Sequence, residues 1–178
     1  IDNQDIEAIK TVYNGVLRDS GNQFYDSKFD IAKLSNIKND AIKSILSAKL
    51  LEAQNRGISI SVEIEEPVSN FRIELLDFIT VLSVLCDNAI EATIEAISPR
   101  MTVVFINNDD SLVLIVENSI KSEKVDVSHI FARGYSSKGE GRGLGLHNVN
   151  SILEKYPKST ITTRSANHLF SQTIRFCK

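Results

Sequence analysis

A short glycine-rich stretch constrains this chain more than any other feature of its sequence. Residues 136–146 read Ser-Ser-Lys-Gly-Glu-Gly-Arg-Gly-Leu-Gly-Leu, and every second position from Gly139 to Gly145 is glycine in a chain that has only eight. Glycine tolerates positive φ and lets a backbone approach a ligand closely, because it has no Cβ. The pattern therefore indicates a loop whose backbone amides face a bound group.

The same stretch opens a helix. Apolar residues recur after it with helical spacing, at Leu146, Val149, Ile152 and Leu153. Free N–H groups at a helix start, together with the positive end of the helix dipole, suit phosphate, and Lys138 and Arg142 add positive charge beside them. The alternative is a flexible glycine-rich surface loop, and this stretch alone does not decide between the two.

Composition excludes several classes of protein. The net charge is −3 and no block is strongly basic, which disfavours nucleic-acid binding. Cys86 and Cys177 lie far apart without CxxC spacing, which argues against a zinc site or a disulfide framework. No run reaches the roughly 18 apolar residues of a membrane span. Because the chain begins at Ile1 rather than Met, we expect it to be part of a longer protein.

Hydrophobic periodicity predicts four helices and five strands. The helices cover 4–19, 30–55, 71–97 and a segment from the glycines to about residue 156, and the strands cover 58–65, 101–106, 111–117, 160–163 and 169–176. Residues 107–110 read as a hairpin turn. Paired strands with gathered helices predict an α+β two-layer sandwich rather than a doubly wound sheet.

Two apolar stripes run along the predicted helix 30–55. One contains Leu34, Ile37, Ala41, Ile45, Ala48 and Leu51, and the other contains Ile42, Leu46, Leu50 and Ala53. So broad an apolar face belongs in a helical bundle or a dimer interface, or else packs within this domain. Gly57 is a suitable stop for the helix.

Asn88 stands out on the predicted helix 71–97. It lies on the row opposite the inward face, which comprises Leu75, Phe78, Ile79, Leu82, Leu85, Cys86, Ala89 and Ala92. A neutral amide at the edge of a buried helix is an unusual choice unless something uses its oxygen.

Two distant segments now carry a resemblance to a known superfamily. Residues 85–92, Leu-Cys-Asp-Asn-Ala-Ile-Glu-Ala, resemble the asparagine box, and residues 139–146 resemble the second glycine box, of the GHKL ATPases, which include gyrase, a heat-shock chaperone, MutL and histidine kinases. Phe131 and residues 134–138 resemble the phenylalanine box and ATP lid. The closest similarity is to the peptide-pheromone receptor histidine kinases of the Agr and Com type. Residues 34–43 are similar to the second dimerisation helix of those kinases.

The resemblance implies a GHKL/Bergerat-type sandwich, with a mixed sheet covered by helices. It implies that 1–56 is a helical part of the dimerisation region and that 57–178 is the catalytic ATP-binding domain. Asn88 would hold Mg²⁺ through its side-chain oxygen. The implied ATP-binding residues are Asn88, Asn118, Ser137, Lys138, Gly139, Gly141, Arg142, Gly143, Leu144 and Gly145.

The chain departs from the superfamily pattern at three places. The first glycine box is absent, and Asn118 stands as an uncharged substitute for the aspartate that meets the adenine amino group. Val84 occupies the position of the glutamate that serves as general base in the gyrase-like ATPases, which favours phosphoryl transfer over hydrolysis. None of His129, His147 and His168 lies in a sequence like the phosphoacceptor box, so we expect the acceptor histidine to precede Ile1.

The resemblance further implies the cytoplasmic catalytic part of a membrane-bound receptor kinase in two-component quorum-sensing signalling. The γ-phosphoryl group of ATP would pass to a histidine outside this chain and then to a response regulator, and the full protein would dimerise through helices in 1–56. Two alternatives stay open. One is an ATP-hydrolysing conformational module of the MutL kind, and the other is an interaction domain that binds no nucleotide.

Overall fold

The computed structural model describes residues 32–131 and 144–178. Within these ranges, a 3-10 turn at Leu34–Asn36 precedes three α-helices and five strands: α1 Asp40–Asn55, β1 Ser59–Ile64, α2 Leu75–Thr93, β2 Arg100–Asn107, β3 Ser111–Ser119, α3 Gly145–Leu153, β4 Thr160–Ala166 and β5 Leu169–Cys177. The predicted first helix, 4–19, lies outside the described residues.

The strands form one mixed sheet in the order β1-β2-β3-β5-β4. β1 runs parallel to β2, with Ser59 opposite Arg100, and the other neighbouring strands are antiparallel. One face of the sheet carries fully buried side chains such as Val103, Leu114 and Ile174, which share a hydrophobic core with the helices. The predicted α+β architecture is confirmed.

Two of the antiparallel strand pairs, β2–β3 and β4–β5, are hairpins. The predicted turn at 107–110 is confirmed, and the Asn108 N–H donates to the Ser111 carbonyl across it at 2.8 Å. β4 and β5 are joined by Asn167 and His168, whose φ angles of 52° and 60° are both positive, as a two-residue hairpin turn of this type requires. The predicted strands 160–163 and 169–176 do form a hairpin, but the predicted end of the first strand at 163 did not locate its two-residue turn.

The prediction of a continuous helix over 30–55 was wrong. Ile37 pairs with Val68 in an isolated parallel bridge, so the chain is extended between the 3-10 turn and α1. Asn39 then starts α1 as its N-cap, because its side chain accepts a hydrogen bond from the Ile42 N–H at 3.2 Å. The predicted stop at Gly57 is confirmed, with φ 76°.

The two apolar stripes of α1 have different surroundings. Ile42, Leu46 and Ala53 are 0% exposed and Leu50 is 4% exposed, and all four belong to the same hydrophobic core as the sheet. Leu51, on the other stripe, is 51% exposed. The second stripe therefore packs within this domain. The dimerisation role of 1–56 stays a prediction.

The helix α2 is shorter than the predicted 71–97. It begins only after Arg72, whose φ of 66° is not helical and whose N–H donates to Asn70 Oδ1 at 2.9 Å. It ends at Thr93 rather than at the Ser98-Pro99 pair. Its buried face includes Val81, which is not among the residues predicted to face inward, whereas Leu75, which is among them, is 39% exposed. In the described part of the chain, no helix combines the length and apolar character that crossing a membrane demands.

Candidate functional site

Asn88 lies in the C-terminal half of α2, and the described residues leave its amide nitrogen unpaired. Its Nδ2 atom is buried and has no hydrogen-bond partner among the residues that the structure describes. Buried polar atoms in folded proteins nearly always have a hydrogen-bond partner, so an unpaired one suggests that a ligand supplies the partner. Because the nitrogen and oxygen of an unpaired amide can exchange places by rotation, Asn88 can present either atom to a ligand.

The end of the glycine stretch approaches α2 one helical turn before Asn88. Gly145 is the first residue of α3, and a Cβ added there would lie 3.1 Å from Val84 Cγ1. Residues four apart lie on the same side of a helix, so Val84 and Asn88 are neighbours on α2. The start of α3 therefore lies against α2 one turn before the predicted magnesium ligand; the meeting of the two boxes around a nucleotide stays a prediction.

Six of the predicted ATP-binding residues lie outside the described residues: Ser137, Lys138, Gly139, Gly141, Arg142 and Gly143. Of the other four, Leu144 precedes α3 directly and is 55% exposed. Asn88, Gly145 and Asn118 lie on α2, α3 and β3 respectively.

The far end of α3 is fixed to the start of α2 by a polar cluster. The Tyr156 hydroxyl donates to Asp77 Oδ2 at 2.7 Å and accepts from the Glu74 N–H at 3.2 Å, and Lys155 Nζ lies 3.2 Å from Asp77 Oδ1. The hydrogen bond from Tyr156, aided by Lys155, lowers the pKa of Asp77. Burial and the same hydrogen bond raise the pKa of Tyr156. The helix that follows the glycines is thus held against α2 near both of its ends.

The neighbours of Asn88 on α2 connect it to the core and to α1. Asp87 forms a salt bridge with Lys49 of α1, and the two side chains are 46% and 22% exposed. Cys86 is fully buried, and burial raises its pKa to about 12. Its thiol stays protonated and unreactive at neutral pH, in agreement with the prediction of a small core residue.

Asn118 lies at the end of β3, under the helices. It is 2% exposed, and the alternation of the strand puts it on the same face as the buried residues Leu114 and Val116. Its Nδ2 donates to the Ser119 carbonyl at 2.9 Å, and Thr93 Oγ1 donates to that same carbonyl at 3.1 Å. About 7.5 Å of helix separates Asn88 from Thr93. Through their shared partner, Asn118 and Thr93 lie side by side where α2 ends, five residues along the helix from Asn88.

Sequence reasoning missed Thr93 and Tyr156. Thr93 had a local signal, since it follows Ala89 and Ile90 at helical spacing and is a polar residue at an inward position. Tyr156 had none, because its partner Asp77 is 79 residues away along the chain.

Comparison with known sequences gives a family and a relative. The sequence model of the GHKL domain matches residues 73–177. The sensor protein CitS of Bacillus subtilis (strain 168) is 29% identical over 125 residues, which make up 67% of this chain and 23% of CitS. The chain thus spans about a quarter of the length of that relative.

Comparison with solved structures gives the same fold. The nucleotide-free catalytic domain of the histidine kinase ThkA matches with a TM-score of 0.66 at 20% identity, over 79% of this chain and 92% of that domain. The mycobacterial sensor histidine kinase MprB matches with a TM-score of 0.56 at 16% identity, over 75% and 92% of the two chains. Full-length ShkA in complex with AMPPNP matches with a TM-score of 0.61 at 14% identity, over 76% of this chain and 28% of ShkA.

Proposed function

The chain belongs to the GHKL domain family, and on that basis we propose that it is the ATP-binding catalytic part of a sensor histidine kinase. It would bind ATP with Mg²⁺ and pass the γ-phosphoryl group to a histidine outside this chain. The observation that carries the proposal is the close approach of Gly145 to Val84, one turn from the unsatisfied amide of Asn88.

The side chain of Asn88 is suited to bind Mg²⁺. Magnesium prefers oxygen ligands and is commonly held by one or two protein groups together with water and substrate phosphates. The Asn88 amide has no partner for its buried nitrogen among the described residues, so rotation toward an ion costs it no hydrogen bond there. Bound Mg²⁺ would neutralise negative charge on the phosphates.

The N-terminus of α3 is suited to bind phosphate. The proposed ligands are the backbone amides of Gly141 and Gly143, with Lys138 and Arg142 supplying positive charge. They directly precede the N-terminus of α3 at Gly145, where the helix dipole favours an anion. Catalysis of this kind consists of positioning and charge stabilisation, and it needs no covalent group from the domain.

Val84 favours transfer to a protein acceptor over transfer to water. Its side chain lies against Gly145, one turn before Asn88, at the position where the hydrolysing members of the superfamily carry a glutamate. A valine side chain cannot accept a proton and so cannot activate water as a general base. We therefore expect slow hydrolysis of bound ATP.

The three histidines give no candidate acceptor. His129 and His168 lie outside the described helices, in a turn and in the β4–β5 hairpin. His147 is on α3, but Asn148 rather than an acidic residue follows it, and its Nδ1 lies 3.4 Å from the Phe131 carbonyl. The acceptor in the proposal is therefore a histidine of another segment or chain.

The finer assignment rests on sequence resemblance. The segments 87–92 and 136–146 resemble the peptide-pheromone receptor kinases, so we place the domain in a membrane-bound, dimeric quorum-sensing receptor that signals to a response regulator. The similarity to a protein named as a sensor supports the sensory role.

Titration with a fluorescent ATP analogue and incubation with γ-labelled ATP test this proposal together. The chain should bind the analogue, and Asn88→Ala should weaken binding, whereas the exposed control Asn55→Ala should not. Label should not appear on the chain, and phosphate release should be slow. Self-labelling would refute the external acceptor. Steady phosphate release would favour a hydrolysing module, and no binding by the folded wild type would favour an interaction domain.

A further inference from the structure

Two side chains donate to one backbone carbonyl where α2 ends against β3. Thr93 Oγ1 lies 3.1 Å from the Ser119 oxygen, and Asn118 Nδ2 lies 2.9 Å from it. A carbonyl oxygen has two lone pairs and can accept both bonds. The Ser119 residue is also tied to β2, because its hydroxyl accepts from the Arg100 N–H at 3.0 Å.

The carbonyl fixes which end of the Asn118 amide faces it. Only the NH₂ end can donate to a carbonyl oxygen, so the orientation of Asn118 follows from its partner. Thr93 is 0% exposed, Asn118 is 2% exposed and Ser119 is 6% exposed, and little water can replace these bonds. The reversed amide would set two buried oxygens against each other without a proton between them.

Because its amide is held in one orientation, Asn118 can only accept a hydrogen bond from a bound base. Its donor end is used by Ser119, so the end that can meet a ligand is the acceptor, Oδ1. An acceptor pairs with an amino group and opposes a carbonyl. A nucleotide base that reaches Asn118 must therefore bring an amino donor.

We propose that Thr93 is a positioning residue for base selection: its hydrogen bond holds the Ser119 carbonyl in place against Nδ2 of Asn118, which keeps Oδ1 of Asn118 as the acceptor and restricts the site to bases with an amino donor at the contacting position. The inference rests on the proposed function, in which Asn118 meets the adenine. Thr93 touches no nucleotide in this account and acts only through Ser119.

The test compares two nucleotides whose bases differ in the substituent at position 6 and, with it, in whether N1 carries a hydrogen. Inosine triphosphate has a carbonyl where ATP has the 6-amino group. We expect the wild-type chain, with Mg²⁺ present, to bind ATP at least about tenfold more tightly than inosine triphosphate, because the wrong base leaves a buried acceptor unpaired. Isothermal titration of both nucleotides measures the ratio.

Three variants isolate Thr93. Thr93→Val removes the hydroxyl at nearly constant shape and should reduce the ratio of the two affinities at least about threefold, whereas Thr93→Ser keeps the hydroxyl and should preserve it. Thr80→Val is the matched control, since Thr80 lies on the same helix and donates within it, to the Leu76 carbonyl. A structural role alone would lower both affinities together and leave their ratio unchanged.

The outcomes separate this inference from the function on which it rests. A folded wild-type chain that binds neither nucleotide overturns the proposed function and the inference with it. ATP binding with an unchanged ratio in Thr93→Val overturns the inference only. If Thr93→Val does not fold, Thr93→Ala is measured in its place with the same expected fall in the ratio, and equal wild-type affinities for the two nucleotides would also overturn the inference.

Discussion

Two asparagines of the site, Asn88 and Asn118, differ in how far the fold satisfies their amides. Asn118 uses its Nδ2 in a buried hydrogen bond to the Ser119 carbonyl, whereas the buried Nδ2 of Asn88 has no partner in the described part of the chain. A buried amide without a partner costs stability and gains nothing for the fold. The contrast supports a ligand-binding role for Asn88.

Replacing Asn88 by alanine should separate binding from stability. We expect nucleotide affinity to fall at least about tenfold, whereas the free energy of unfolding changes by less than about 1 kcal/mol, because the buried Nδ2 of Asn88 has no hydrogen-bond partner among the described residues. Asn118→Ala breaks a buried bond and should cost about 1–2 kcal/mol. Urea unfolding and nucleotide titration measure both variants. A larger loss of stability in Asn88→Ala than in Asn118→Ala would make Asn88 a structural residue.

At the scale of elements, the site depends on how α3 lies against α2. Gly145 touches Val84 at one end of α3, and Tyr156 binds Asp77 just beyond the other end. These two contacts fix the position of the helix whose N-terminus we assign to the phosphates.

Tyr156→Phe should weaken the contact between the end of α3 and the start of α2. The change removes the hydrogen bond to Asp77 and the acceptor of the Glu74 N–H, and we expect a loss of about 1–2 kcal/mol in the free energy of unfolding. Lys155→Met is the control. It removes an ion pair whose lysine is 60% exposed, so it should cost less than about 0.5 kcal/mol. Equal losses in the two variants would contradict the role given to the hydroxyl.

The pH dependence of the same comparison has a defined sign. The lowered pKa of Asp77 stabilises the fold above the unfolded value of 3.8, and this contribution is lost as the pH falls through the folded value. The raised pKa of Tyr156 stabilises the fold below 10.0, and that contribution is lost as the pH rises through its folded value. The difference in the free energy of unfolding between wild type and Tyr156→Phe should thus be constant near neutral pH and become smaller in strong acid and in strong base. A gap that widens in acid would refute this account.

Gly145→Ala tests the near end of the helix pair. The new Cβ would lie 3.1 Å from Val84 Cγ1, closer than ordinary contact, and a β-branched valine cannot easily turn aside. We expect a loss of about 1 kcal/mol in the free energy of unfolding, relieved in part by Val84→Ala. The double variant should show at least about 0.5 kcal/mol of coupling in urea unfolding. Strict additivity would mean that the two residues do not meet.

At the scale of the molecule, α1 contributes to the core that supports the site. Ile42, Leu46 and Leu50 are at most 4% exposed, and Lys49 binds Asp87 beside Asn88. A catalytic domain that began at residue 57 would lack α1 and would expose to solvent the apolar surface that α1 covers.

Truncation tests the boundary predicted at residue 57. Burying each of these three large side chains contributes about 1.5–3 kcal/mol, so the chain 57–178 should be less stable than the chain 32–178 by about 5 kcal/mol, close to the whole stability of many domains. Thermal unfolding followed by circular dichroism compares the two. Equal melting temperatures would show that 57–178 is a complete domain.

Local signals made most of the fold predictable. The alternation in β1 and the glycine at the end of α1 act over a few residues, and both predictions were confirmed. The start of α1 also had a local signal, since Asn39 is a good N-cap residue. The apolar periodicity continues across it, however, and led to the prediction of one longer helix. The pairs Tyr156–Asp77 and Thr93–Ser119 join distant segments, and only the fold brings them together.

In the proposed site, Asn88 and the glycine stretch meet at the phosphates of one nucleotide. Paramagnetic Mn²⁺, bound in place of Mg²⁺ with a non-hydrolysable ATP analogue, broadens NMR signals of nearby nuclei. We expect the signals of the Asn88 side-chain amide and of the Gly141 and Gly143 backbone amides to broaden together, with the Gly57 amide unaffected. Broadening at only one of the two segments, or at neither in a chain that binds the analogue, would contradict it.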